Sequence, residues 1–123
     1  MINIIIIEQN KIFRESLKMV LDQIDGYKVV FDDDTVNSLL DSKAEYCFQI
    51  ILLDWTSYDT EVTRTIFKLY PSTKVLLLSN YIESTFPDIQ LDGISLDFIP
   101  KCSCKNVFEQ KIKKTLNIKT IYK

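Results

Sequence analysis

Phe48-Gln49-Ile50-Ile51-Leu52-Leu53-Asp54 is a largely apolar run that ends abruptly in a carboxylate. A continuous run of this kind, without polar alternation, reads as a strand buried on both faces, as in a parallel sheet covered by helices. Open sheets of that type bind their ligands just beyond the carboxyl ends of the strands. Asp54 stands where such a strand would run out. By itself an aspartate there is equally a turn residue or a helix cap, so the ends of the other strands decide its meaning.

Upstream of this run, Ile4-Ile5-Ile6-Ile7 is a β-branched block that reads as a second buried strand and ends in Glu8-Gln9-Asn10. Phe13, Leu17, Val20, Leu21 and Ile24 then recur at helical spacing, and Gly26 stands where a helix stop is expected. Residues 27–31 form a short strand. Asp32-Asp33-Asp34-Thr35 reads as a solvated polar turn able to cap the next helix, whose apolar face is Val36, Leu39 and Leu40. Downstream of Asp54, a polar link over residues 55–60 leads into a helix with Val62, Ile66, Leu69 and Tyr70 inward, stopping before Pro71.

Residues 74–78 are a fourth buried strand, ending at Ser79. Ile82, Phe86 and Ile89 predict a helix that Pro87 shortens or kinks, and Gly93 marks a turn. Residues 96–100 are a fifth strand ending at Lys101, and Val107, Phe108, Ile112 and Leu116 form the face of a last amphipathic helix. Strand and helix alternate five times. The pattern predicts an α/β fold, a five-stranded parallel sheet doubly wound with helices on both faces. One domain covers residues 1–117, and residues 118–123 read as the start of a linker or a frayed end.

Composition narrows the function. The 123 residues are 46% hydrophobic and 26% charged with a net charge of −2, which suits one globular core and gives direct nucleic-acid binding no electrostatic support. There is no histidine, so every histidine-based catalytic scheme is excluded. Cys47, Cys102 and Cys104 have no histidine to complete a zinc site and read as reduced thiols of a cytoplasmic protein. No signal peptide is evident after Met1, and no apolar run approaches the roughly 20 residues that span a bilayer. A nucleotide- or flavin-binding enzyme on such a sheet would need Gly-rich phosphate loops, and the only glycines are Gly26 and Gly93.

The strand ends converge on one pattern: Glu8 and Gln9, Asp54, Ser79, then Lys101. In these residues and their order the sequence resembles the receiver domains of two-component response regulators, over about residues 2–116. The resemblance implies the flavodoxin-like strand order 2-1-3-4-5 and a phosphoryl group accepted on Asp54 from a histidine kinase or phosphotransfer protein. It implies that Ser79 and Lys101 hold that group and that Phe98, with Ser79, reorients as the switch. It further implies a Mg²⁺ site made by Glu8, Gln9, Asp54 and the backbone carbonyl of Thr56. A cation there matches the chemistry, because a carboxylate attacks an anionic donor poorly unless charge is neutralised. No enzymatic turnover is implied beyond the domain's own phosphoryl transfer and dephosphorylation. Phe98-Ile99-Pro100-Lys101-Cys102-Ser103 is most similar to regulators carrying a carboxyl-terminal helix-turn-helix output domain, and family members often form homodimers.

Four features depart from the family. Gln9 replaces an acid that normally contacts the metal, which removes one negative charge and weakens the expected Mg²⁺ site. The link after Asp54, running through Ser57-Tyr58-Asp59-Thr60, is shorter than usual. Asn80 replaces the usual small residue, and Pro87 disturbs the helix that contributes to the usual signalling and dimer face. Gln9 and the short link motivate an alternative, an atypical receiver acting as a phosphorylation-independent interaction module. Trp55 reads either as a cover over the pocket or as an aromatic packed on the sheet edge, with Tyr58 and Tyr81 flanking the mouth.

Overall fold

The computed structural model describes residues 1–41, 47–80 and 87–118. In chain order the elements are β1 (Ile2–Ile7), α1 (Lys11–Asp22), β2 (Tyr27–Asp33), α2 (Val36–Asp41), β3 (Ile50–Asp54), a one-turn 3₁₀ helix (Trp55–Ser57), α3 (Thr60–Leu69), β4 (Lys74–Ser79), β5 (Ile89–Leu91), β6 (Ile94–Pro100) and α4 (Lys105–Thr115). The sheet runs β2-β1-β3-β4-β6-β5. Every pair is parallel except β5 with β6. The parallel part reproduces the expected order, with β6 in the place of the fifth strand.

The strands read as unbroken apolar runs because each of their faces is covered. Ile4, Ile6, Ile50, Leu52, Leu76 and Leu78 share one core with Leu17 and Leu21 of α1 and Phe108 and Ile112 of α4. The intervening residues Ile5, Ile7, Ile51, Leu53, Val75 and Leu77 form the other core, with Val36 and Leu39 of α2 and Ile66 of α3. Successive side chains of a strand point to opposite faces, so an amphipathic helix on each side turns every strand residue into a core residue.

Helices α1 and α3 start where side chains cap them. Asn10 Oδ1 accepts from the Phe13 amide at 3.0 Å, and Asp59 Oδ1 accepts from the Val62 amide at 3.0 Å. Tyr27, at the start of β2, donates its hydroxyl to the Glu109 carbonyl of α4 at 3.2 Å. Burial, helped by the nearby Glu109 charge, pushes this phenol up to about 12.

Two expectations are corrected. The sheet has a sixth, antiparallel strand, and Ile89 lies in it rather than on a helix, while Ile82 and Phe86 fall outside the described residues. The cause is Asp92-Gly93, whose φ angles of 52° and 83° suit a two-residue hairpin turn that pairs Leu91 with Ile94. Asp32 and Asp33 belong to β2 rather than to a free turn, Asp33 pairing with Ile7. Asp32 faces Arg14 and Lys18 of α1 at 3.4 and 3.2 Å. The Asp34 amide donates to Asp33 Oδ1 at 2.7 Å, and this hydrogen bond, before any other cause, holds the Asp33 carboxyl below its ordinary value.

Candidate functional site

The parallel strands deliver their terminal residues to one edge of the sheet. Glu8 follows β1 and its amide donates to the Asp33 carbonyl at 3.0 Å, so the side chain is carried beneath the edge with 1% of its surface exposed. Asp54 ends the central strand β3 opposite Leu78 and is 3% exposed. Lys101 follows β6, and its amide donates to the Ser79 carbonyl at 2.8 Å, which anchors the base of the long side chain over the gap.

The ammonium of Lys101 fills that gap. Its Nζ lies 3.1 Å from Asp54 Oδ1 and donates to Glu8 Oε1 at 3.1 Å, with Glu8 Oε2 at 3.0 Å. Two buried carboxylates without a partner would be strongly destabilising, and this single cation is their common partner. Burial disfavours the charged ammonium, but hydrogen bonds and the charges of Glu8 and Asp54 outweigh it and hold Lys101 above its ordinary value. The Phe13 ring lies 5.5 Å from the same nitrogen. Arg14 fixes the turn from below, donating to the Glu8 carbonyl at 2.6 Å.

The second oxygen of Asp54 is also occupied. Thr56 Oγ1 donates to Oδ2 at 2.7 Å, and the Thr56 amide approaches Oδ1 at 3.4 Å. Asp54 is thus both the cap of the 3₁₀ turn and the buried acid of the site, so the plain reading of a strand-end aspartate and the functional one coincide. An open cleft of about 650 Å³ exposes this group, lined among others by Glu8, Gln9, Asp54, Thr56, Asn80 and Lys101. A second cleft of about 350 Å³ reaches Asp54 from the side of Trp55, Leu78 and Asn80.

The expected site residues thus divide into those in contact and those nearby. Glu8, Asp54, Thr56 and Lys101 meet directly, and Gln9 is exposed on the rim of the cleft. Ser79 is buried at the end of β4 beside Pro100, with 1% exposure, and its neighbour Asn80 lines both clefts. Phe98 is buried, with the Trp55 ring packed edge-on at 5.2 Å and Tyr58 stacked on Trp55 at 5.4 Å. Trp55 therefore packs on the sheet edge against the switch position while its flank lines the second cleft, and Tyr81 falls outside the described residues. Sequence reasoning missed the Thr56 hydroxyl and the double exposure of Asn80. The Asp54-x-Thr56 spacing, which allows a hydroxyl to fold back on a strand-end carboxylate, was the available signal for the first.

The donor set fits a hard divalent cation. Among the described residues no three His, Cys, Asp or Glu groups cluster as metal ligands, so Glu8 and Asp54 are the available carboxylates. Mg²⁺ commonly takes one or two carboxylates, completing its octahedron with water and neutral oxygens. Glu8 Oε2 is buried and, although near the ammonium, receives no hydrogen bond, because Lys101 directs its donor to Oε1. That unspent acceptor, with a local balance of two negative charges to one positive, is what a cation would use.

No protein-family model matches the chain. Over 88 residues, 69% of its length, it is 30% identical to the transcriptional regulatory protein DegU of Brevibacillus brevis, and it spans 37% of that relative. A response regulator from Thermotoga maritima superposes on 94% of this chain and 98% of its own, with a TM-score of 0.72 at 18% identity. RcsB of Salmonella enterica serovar Typhimurium, bound to promoter rprA in the presence of phosphomimetic BeF3−, matches 94% of this chain and 60% of its own, with a TM-score of 0.76 at 15% identity. The shared fold covers nearly the whole chain.

Proposed function

We propose that this chain, by fold and by its likeness to DegU a response-regulator receiver domain, accepts a phosphoryl group on Asp54 in two-component signalling. The observation that carries the reading is the Lys101 ammonium, held within 3.1 Å of both Asp54 and Glu8 at the carboxyl edge of the sheet. An oxygen of Asp54 attacks the phosphorus of the donor, the donor's bond to phosphorus breaks, and the donor leaves with the electron pair. Lys101, already beside Asp54, is placed to pair with the phosphoryl oxygens, and Ser79, whose carbonyl accepts from the Lys101 amide at the adjoining strand end, joins it through its hydroxyl. A divalent cation held by Glu8, Asp54, the Thr56 carbonyl and the Gln9 amide would neutralise charge on the incoming group, less strongly than a site with a third acid.

The added charge of about −1.5 to −2 draws Lys101 and Ser79 toward Asp54 and unbalances the packing of Phe98 under Trp55. This is a switch and not turnover chemistry. The donor is a histidine kinase or phosphotransfer protein. The output is transcriptional regulation through a DNA-binding domain, which the transcriptional regulatory protein DegU and promoter-bound RcsB support. No helix among the described residues is long and apolar enough to cross a membrane, which accords with work in the cytoplasm.

The test is intact-mass measurement after incubation with acetyl phosphate and MgCl₂. Wild-type protein is expected to gain one phosphoryl group and Asp54→Asn none, with Trp55 fluorescence shifting in wild type alone on addition of beryllofluoride. A wild type that gains no mass would overturn the reading.

A further inference from the structure

We infer that the fork between the amino ends of β4 and β6 binds a small aromatic carboxylate. The site lies on the edge of the sheet opposite Asp54 and is independent of the phosphoacceptor reading. β4 begins at Lys74 and β6 at Ile94, but the two strands pair only from Leu76 and Asp97 onward. Before that point Lys74 and Val75 pair with β3, and Ile94 to Leu96 pair with β5. Each strand is held by its other neighbour, and a cleft of about 270 Å³ opens between them. The β5–β6 hairpin thus creates the site. Its volume is just below that of most small-molecule pockets, which suits a ligand of one ring.

The cleft has two unlike walls, because successive strand residues point to opposite faces. On the α3 side, Val75 and Leu96 belong to the apolar core with Phe67, and Ile94 adds a side chain that is 50% exposed. On the α4 side stand Lys74, Asp97 and Thr115. Asp97 is already paired with Lys111 of α4 at 2.9 Å. Lys74 has no ion pair among the described residues, which leaves one positive charge in excess around the cleft. Thr115 Oγ1 is buried and has no hydrogen-bond partner. A helical threonine has two accessible χ1 rotamers, so this hydroxyl can swing to an acceptor in the cleft it lines without giving up a bond. An aromatic ring suits the apolar wall, where it buries surface against Phe67 and Leu96. A carboxylate on that ring takes the Lys74 ammonium as counter-ion and the Thr115 hydroxyl as donor on the other wall. One ligand thereby answers the excess charge, the orphaned hydroxyl and the apolar surface.

The test titrates the isotope-labelled 123-residue chain with sodium benzoate and follows amide chemical shifts. Saturable shifts centred on residues 73–75, 94–97 and 115 are expected. Benzyl alcohol keeps the ring without the charge and acetate the charge without the ring, and each is expected to bind about tenfold more weakly. Lys74→Gln is expected to weaken benzoate about threefold, as for an exposed ion pair. Thr115→Val is expected to weaken it about tenfold, the factor for a hydrogen bond to a charged group. Its urea midpoint should stay at or above the wild-type value, because the hydroxyl removed has no partner in the fold. Absence of saturable shifts, or shifts centred elsewhere, would overturn the inference. Acetate binding as tightly as benzoate would overturn it too, leaving only a surface lysine, as would unchanged benzoate affinity in both variants.

Discussion

Lys101 serves two buried carboxylates with one ammonium, and the site's stability rests on that sharing. Replacing it with methionine leaves Glu8 and Asp54 as like charges with no cation between them. Breaking a buried pair in this way costs about 3–5 kcal/mol, and the open cleft, which lets water reach both acids, places the expected loss near 3. Urea denaturation of Lys101→Met against wild type measures it, and adding Glu8→Gln is expected to recover part of the loss by removing one of the unpaired charges. The pH dependence has a definite sign. The folded value of Lys101 lies above its ordinary 10.5, so the stability it contributes is fully present below pH 10.5 and is lost as pH rises through the folded value. The gap between wild type and Lys101→Met should be constant from pH 7 to 10 and shrink above that. Tyr27, whose raised phenol also erodes stability above pH 10, is common to both proteins and cancels. Glu8, Asp54 and Lys101 were legible in the sequence because each ends an apolar strand, and parallel strands must bring such residues to one edge. The Thr56 hydroxyl and Asn80 were not, because their aim depends on the 3₁₀ turn after Asp54 and on how β4 ends, which no apolar pattern encodes.

Among the elements, the β5–β6 hairpin is where sequence and structure part most clearly. Ile82, Phe86 and Ile89 fall at helical spacing, and a strand of three residues is too short to show the alternation that would oppose that reading. The deciding signal is the dipeptide Asp92-Gly93, a hairpin turn pair of which Gly93 taken alone marks only a turn. Once formed, the turn is held from outside by Arg64 of α3, which binds both oxygens of Asp92 at 3.0 and 3.1 Å across 28 positions of sequence. This guanidinium, chiefly through its hydrogen bonds, keeps the Asp92 carboxyl below its ordinary value. Gly93 has φ of 83°, and a Cβ built there meets nothing within 4 Å, so the effect of Gly93→Ala is confined to the backbone. The expected cost is about 1–2 kcal/mol, the penalty for a side chain in the left-handed region. Gly93→Asn, which tolerates that region, should cost less. Urea midpoints give the energies, and faster amide exchange in residues 89–91 of the alanine variant would locate the loss in the hairpin. Equal stability of alanine and asparagine variants would contradict the turn geometry.

Over the whole molecule, a single sheet separates two apolar cores, and this was the most legible feature because it follows from arithmetic. Strands with no polar alternation require cover on both faces, and helices with one apolar stripe supply it. Leu17 lies in the core under α1 and Ile66 in the core under α3, each nearly or fully buried. Their side chains have the sheet between them, beyond the roughly 7–10 Å within which substitutions usually couple. Leu17→Ala and Ile66→Ala should each cost about 3 kcal/mol, and the pair about 6. A domain of this size has about 5–15 kcal/mol in total, so the double variant approaches the limit of folding. Because β1, β3 and β4 contribute to both cores at alternate residues, neither face can come apart without exposing the other's strands. The expected result is therefore one transition at a lower midpoint with an unchanged urea slope in all three variants. Two transitions, or a double variant far from the sum, would show instead that the α1–α4 face and the α2–α3 face behave as separate units. That outcome bears on signalling as well. Phe98 belongs to the α3-side core while Lys101, three residues on, engages Glu8 and Asp54, so a change in charge at the sheet edge reaches the packed interior only if the two faces act as one body.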